Sequence, residues 1–107
     1  MARYGKETTL PPRAVLRHAR EFFGPGGDLS LALTKDSLIE IGFAGSGGTV
    51  EVSARPKVGD LQITEVTILS VEFDYWAEQF LAVLTDAERG PGPFARFATW
   101  LAGLFKR

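Results

Sequence analysis

The sequence predicts an α+β fold with an N-terminal helix, a four-stranded antiparallel meander, an amphipathic helix packed on one sheet face and an extra C-terminal amphipathic helix after a Gly/Pro hinge (α-β-β-β-β-α-α). The spacing of apolar residues changes from a helical period to a period of two after residue 24, and back again after residue 73. A chain of 107 residues with 45% hydrophobic content suits one domain with one core, and is too short for two independent domains.

The first helix is predicted over residues 10–24. Two prolines suit its first turn, where a missing N–H costs little, and Thr9 can cap it. Gly24, followed by another proline, ends it. One face is apolar, through Val15, Leu16, Ala19, Phe22 and Phe23. Arg13, Arg17 and Arg20 lie on the opposite side and are called the basic stripe below.

Four short strands follow, separated by turn residues. Their alternating apolar positions are Leu29, Leu31 and Leu33; Ile39, Ile41 and Phe43; Val50, Val52 and Ala54; and a last strand from Leu61. The predicted turns are Lys35-Asp36, residues 45–48 and residues 56–60. Polar residues alternate with the apolar ones in the second and third strands, which indicates a sheet with one solvated face.

The last strand changes the parity of its apolar residues. Leu61 and Ile63 set one parity, Val66 and Ile68 have the other, and Leu69 returns to the first. A bulge near Thr64-Glu65 would produce this change. Alternatively, the end of the strand is buried on both faces.

Asp74 can cap a second helix, whose apolar stripe is Trp76, Ala77, Phe80, Leu81 and Leu84. We therefore assign residues 1–88 to a single α+β domain, 89–93 to a hinge and 94–107 to a C-terminal helix. On a helical wheel that last helix has a broad apolar side, called the terminal stripe below. Its members, the candidate partner-binding residues, are Phe94, Phe97, Trp100, Leu101, Leu104 and Phe105.

The limited width of the sheet makes the terminal stripe the candidate contact surface. Four strands at about 4.8 Å spacing form a sheet roughly 19 Å wide, which two helices of about 10 Å each will cover. The last helix must then cover the opposite sheet face, associate with a second copy or another protein, or lie in a membrane interface. All three alternatives remain open at this point.

Composition and charge narrow the function classes. The chain has no cysteine and its start has no apolar signal-type segment, so we expect a cytoplasmic protein. Residues 1–24 carry a net charge of +3, residues 25–88 carry −8 and residues 89–107 carry +4. The basic ends either balance an acidic sheet or meet an acidic partner or membrane. With a pI near 5.8, the chain lacks the basic footprint of nucleic-acid binders, and we expect no nucleic-acid partner.

No catalytic, metal or cofactor site is predicted. His18, the single histidine, has arginines close in sequence and no orienting carboxylate and nucleophile, so we interpret it as a boundary residue. The glycine-rich loop of residues 42–52 leads into an alternating strand rather than a helix, which indicates a hairpin rather than a phosphate cradle. Glu40 with Glu51, and Asp74 with Glu78, lack the further ligands that a metal site needs.

Residues 48–84, GTVEVSARPKVGDLQITEVTILSVEFDYWAEQFLAVL, form a hairpin followed by a long amphipathic helix. This third of the chain resembles the Bet v 1-like or START-like helix-grip fold. The resemblance implies a curved sheet that grips a helix around an apolar-ligand cavity, which would be lined here by Phe43, Val52, Ile63 and Phe80. We expect a non-catalytic binding or assembly module that uses the terminal stripe, and the alternatives are a small apolar-ligand carrier and a peripheral membrane protein.

Overall fold

The computed structural model describes residues 1–27 and 29–89, which form five strands and two helices. In chain order these are β1 (Ala2–Thr8), α1 (Pro12–Phe23), β2 (Ala32–Asp36), β3 (Glu40–Gly45), β4 (Gly48–Lys57), β5 (Asp60–Val71) and α2 (Asp74–Arg89). The strands form one antiparallel sheet in the order β1-β5-β4-β3-β2. The predicted α+β class with an antiparallel sheet is confirmed.

The predicted number of strands was wrong, because β1 precedes α1 and adds a fifth strand beside β5. Its pairing with β5 is continuous from Ala2 opposite Ser70 to Thr8 opposite Thr64. In β1 only Tyr4 is a large apolar residue, so the strand has no alternating hydrophobic pattern to reveal it. Backbone pairing with β5, rather than side-chain pattern, defines this strand. The predicted third helix, residues 94–107, lies outside the described residues.

The meander of β2 to β5 was predicted, and Ser46-Gly47 forms the expected tight turn between β3 and β4. The first meander strand lies later in the chain than predicted. The Leu31 N–H donates to the Phe23 carbonyl at 2.8 Å, which ties Leu31 to the end of α1. Strand β2 therefore begins at Ala32 and includes Lys35 and Asp36, the predicted turn.

Strand β5 keeps one parity from Thr64 to Ser70, and its pairing with β1 runs without a shift through these positions. The pairing with β4 shifts between Pro56 and Lys57, whose partners on β5 are Thr64 and Asp60, so an irregularity lies just before Thr64, close to the predicted bulge. The inner face carries Thr64, Val66, Ile68 and Ser70, all of them buried. Two of these four are small polar residues, so the apolar positions alone do not mark the inner face. Near the end of the strand, Leu69 and Val71 are half-buried on the outer face, opposite the buried Ile68 and Ser70.

Both helices cover the same face of the sheet, called the inner face. Helix α1 contacts β3 and β4, and α2 contacts β1 and β5. No side chain caps α1, whose N-cap residue is Pro11 with extended backbone, so the predicted Thr9 cap was wrong. Instead, the Pro11 carbonyl accepts hydrogen bonds from the N–H groups of Ala14 and Val15. Helix α2 begins at Asp74, which therefore lies in its first turn and not at the predicted cap position.

Aromatic rings from three elements meet in the centre of the core. The ring centroid of Phe23 in α1 lies 5.6 Å from that of Phe43 in β3 and 5.3 Å from that of Phe80 in α2. All three side chains are fully buried. Burial of each such side chain contributes about 1.5–3 kcal/mol. This cluster fixes the positions of α1 and α2 over the sheet, and thereby the flank of α1 described next.

Candidate functional site

The structure brings together three of the four residues predicted to line an apolar cavity. Phe43, Val52 and Phe80 are fully buried members of one core cluster beneath the helices. Ile63 lies on the other sheet face, because it alternates with the buried Thr64 along β5. The four residues therefore do not face a common space.

The residues of the terminal stripe lie outside the described residues: Phe94, Phe97, Trp100, Leu101, Leu104 and Phe105. The described part of the chain ends at α2. The Glu88 carboxylate lies 3.3 Å from the Lys6 ammonium of β1, so the last described turn of α2 sits at the β1 edge of the sheet.

A cleft of about 740 Å³ lies at the opposite side of the helical layer, between α1 and the turn that joins β2 to β3. We call it the arginine cleft. It is defined by Arg13, Arg17, Arg20 and Leu16 on α1, and by Asp36 and Leu38 at the turn. The three arginines are the basic stripe predicted from the sequence. At spacings of four and three residues they project from one flank of the helix.

The turn that closes this cleft is held by Ser37. Its hydroxyl accepts hydrogen bonds from the Glu40 N–H at 3.0 Å and from the Ile39 N–H, and it donates to the Glu40 carbonyl at 3.2 Å. These bonds fix the turn with Leu38 at its tip, where 91% of the side chain is exposed. Because the Ser37 hydroxyl is used in the turn, we assign it a structural role and not that of a nucleophile.

Positive charge is in excess in the arginine cleft. The Arg20 guanidinium donates to the Asp36 carboxylate at 2.6 Å, which joins α1 to β2. Within the described residues, Arg13 and Arg17 form no ion pair. Both of these arginines are also exposed, so no carboxylate in contact with them offsets their positive charge. The cleft combines them with an apolar wall at Leu16 and an apolar rim at Leu38.

Sequence reasoning found the basic stripe but not the cleft. The sequence predicted a turn at Lys35-Asp36 and a strand from Ile39, whereas the observed turn is residues 37–39. Ser37, three positions before β3 and able to bond backbone N–H groups, was the local signal for this turn.

Glu40 and Glu51, one of the two carboxylate pairs singled out from the sequence, lie beside a lysine on the outer face. The Lys35 ammonium lies 3.1 Å from Glu51 and 3.8 Å from Glu40. The hydrogen bond to Glu51, with the charges of Glu40 and Glu51, raises the pKa of Lys35. The part of the chain that the structure describes holds no group of three or more potential metal ligands. These carboxylates thus serve the sheet surface.

His18 is half-buried on α1. Across residues 1–27 and 29–89 its ring forms no hydrogen bond or ion pair.

Neither of the two helices in these ranges is long and apolar enough to cross a bilayer.

No protein-family model matches the chain, and searches of curated proteins and of solved structures return no match. Function is therefore inferred from the residues of this chain and their geometry.

Proposed function

We propose that the chain is a non-catalytic binding and assembly module that associates with a second copy or with another protein through the terminal stripe. The stripe carries four of the chain's twelve Phe, Trp and Tyr residues, together with two leucines, at helical spacing. Residues 89–107 contain four basic and no acidic side chains, so the apolar surface has a basic rim. Such a surface suits a helix-in-groove contact with a protein.

The observation that carries this proposal is the coverage of the inner sheet face. Helix α1 lies over β3 and β4, and helix α2 lies over β1 and β5. Phe23 and Phe80, which come from these two helices, fill the space above Phe43. Two helices thus provide the aromatic core of the inner face, and this supports a role for the terminal stripe outside it.

The test is the molar mass of the full chain in solution, measured by light scattering over a range of concentrations. The variant Phe97→Gln with Leu101→Gln interrupts the apolar side of the predicted helix. The matched control, Arg96→Gln with Thr99→Gln, places two glutamines on the polar side. The proposal requires that the first variant lowers the mass, or loses a captured partner, and that the control does not. Equal behaviour of all three chains, without any bound partner, would contradict it.

A small apolar-ligand carrier is the alternative function. It rests on the helix-grip resemblance alone, because Phe43, Val52 and Phe80 pack in the filled core beneath the helices and Ile63 does not join them. Native mass spectrometry of the purified chain, incubated with a saturated fatty acid, distinguishes this alternative. A retained ligand that is lost in Val52→Trp would favour the carrier over the assembly module.

Peripheral membrane association through the same stripe is a third possibility, which the basic rim supports. Flotation with vesicles containing anionic lipid measures it directly. If the chain is an assembly module, the Phe97→Gln, Leu101→Gln variant changes the mass in solution. The wild-type chain then does not float with the vesicles. We also place the module in the cytoplasm, which its cysteine-free composition supports.

A further inference from the structure

We propose that the arginine cleft binds an acidic, amphipathic segment of a partner protein. This inference goes beyond the assembly function, because it concerns another surface and a partner of opposite charge. The supporting observations are the charges, the apolar rim and the dimensions of the cleft, whose lining residues are all described.

The charges select a carboxylate-bearing ligand. The cleft already holds one carboxylate, because Arg20 donates to Asp36 at 2.6 Å. Arg13 and Arg17 present the same donor group on the same flank of α1, without an ion-pair partner among the described residues. A guanidinium matches the planar geometry of a carboxylate and forms charge-assisted hydrogen bonds with it. Two further carboxylates on one segment would complete the pattern that Asp36 begins.

The apolar part of the cleft requires that the ligand also has an apolar side. The Leu38 side chain is 91% exposed at the rim, and Leu16 forms the wall across from it. Arginine is enriched in protein–protein contacts, and Leu38 beside it offers apolar area to a partner. An acidic segment with apolar residues on one face would cover Leu38 while its carboxylates reach α1.

The dimensions favour a short peptide segment. Arg13 and Arg20 are separated by about 10 Å along the helix axis, which corresponds to two helical turns of a partner. The chain's own residues 89–107 cannot supply the carboxylates, because they contain no acidic residue. A nucleic acid is disfavoured by the net charge of −8 on residues 25–88 and by a pI near 5.8. A short segment can contact the arginines of the cleft alone.

The experiment uses the full chain and a fluorescein-labelled amphipathic peptide of about 15 residues, roughly 22 Å long as a helix. Its polar face carries glutamates and its apolar face leucines, and a second peptide has glutamine in place of each glutamate. Fluorescence anisotropy at low salt should show binding of the first peptide only. Arg13→Gln with Arg17→Gln should weaken this binding about 10-fold or more, since hydrogen bonds to charged groups contribute about 1.5–3 kcal/mol. Leu38→Ser should weaken it to a smaller extent.

The matched control is Arg3→Gln with Arg55→Gln, which removes two arginines from the outer sheet face. It should change the affinity by less than about two-fold, as expected for exposed charges outside the contact. Amide chemical-shift changes in the wild-type chain should centre on Ala14 and Leu38, which locates the site even if a variant fails to fold.

Three results would overturn the proposal. If the cleft variant and the control lose equal affinity for the peptide, overall charge attracts it. If the glutamine peptide binds as tightly as the glutamate peptide, the apolar side chains alone cause binding. Tighter binding of a short DNA duplex, lost in the same cleft variant, would assign the arginines to a nucleic acid instead.

Discussion

The two edges of the sheet are built differently. All seven residues of β1 pair with β5, and Tyr4 packs against the core from the inner face. At the other edge all five residues of β2 are exposed, and the pairing with β3 shifts between Leu33 and Lys35. Helix α2 lies over β1, whereas α1 lies mainly over β3 and β4 and reaches β2 through the Arg20–Asp36 pair. The β1 edge is closed by packing, and the β2 edge borders an accessible cleft.

Each edge is joined to a helix by one ion pair, and the two pairs differ in exposure. Lys6 of β1 and Glu88 of α2 are 20% and 23% exposed, whereas Arg20 of α1 and Asp36 of β2 are 52% and 46% exposed. Water screens the second pair more strongly, so this pair contributes less to stability and its groups are accessible from solvent. This contrast explains why we place a binding surface at the β2 side.

The largest effect is expected in the interior that both edges share. Phe23→Ala removes a fully buried ring that contacts Phe43 and Phe80. We expect the free energy of unfolding to fall by about 3–5 kcal/mol, measured by urea denaturation. Leu38→Ala at the cleft rim is the control, and its effect should stay within about 0.5 kcal/mol. A similar loss in both variants would show that Leu38 belongs to the core.

The next largest effect is the difference in stability lost when one apolar side chain is removed from each edge strand. Tyr4→Ala on β1 should lower the free energy of unfolding by about 1–2 kcal/mol, since part of a large aromatic surface returns to water. Leu33→Ala on β2 removes an exposed side chain and should cost less than about 1 kcal/mol. Denaturation curves of the two variants measure the difference. An equal or larger loss at Leu33 would contradict the contrast between the edges.

A smaller effect separates the two ion pairs. Double-mutant cycles with Lys6→Gln and Glu88→Gln, and with Arg20→Gln and Asp36→Asn, measure the coupling energy of each pair. We expect about 0.5–1 kcal/mol for the β1 pair and less than about 0.5 kcal/mol for the β2 pair. The reverse order would contradict the weaker coupling expected for the more exposed pair.

The smallest effect is a loss of stability at alkaline pH. Partial burial, followed by the charges of Asp74 and Glu78, raises the pKa of Tyr4 above 10.0. Hydrogen bonds to Glu7 and Glu51 raise the pKa of Lys57 and Lys35 above 10.5. The folded state holds these protons more tightly than the unfolded state, so their contribution is complete below these ordinary values and declines as the pH rises through the folded pKa.

Tyr4→Phe tests the tyrosine part of this effect, since it removes the ionisable hydroxyl and keeps the ring. Urea midpoints measured between about pH 9 and 11 should decline less steeply in this variant than in the wild-type chain. Tyr75→Phe, on the exposed start of α2, is the matched control. Parallel declines in the wild-type and Tyr4→Phe chains would contradict the effect.

The sequence predicted the elements whose side chains follow a strong apolar period. Val15, Ala19 and Phe23 in α1, and Ala77 and Phe80 in α2, are buried as expected. Strand β1 was not predicted, because its side chains lack an apolar alternation. Its position depends on backbone pairing with β5. Ser70 and Thr64 fill inner positions of β5 where the pattern indicated apolar residues. The basic stripe was visible in the sequence, but its closure into a cleft depends on a turn from another part of the chain.

Native-state hydrogen exchange tests most directly the central claim that the β1 edge is closed and the β2 edge is open. The β1 amides bonded to β5 should exchange only through global unfolding, with the same opening free energy as the centre of the β4–β5 pair. The β2 amides bonded to β3 should open locally, at a free energy lower by about 2 kcal/mol or more. Equal protection of the two edge strands, or lower protection of β1, would contradict the account.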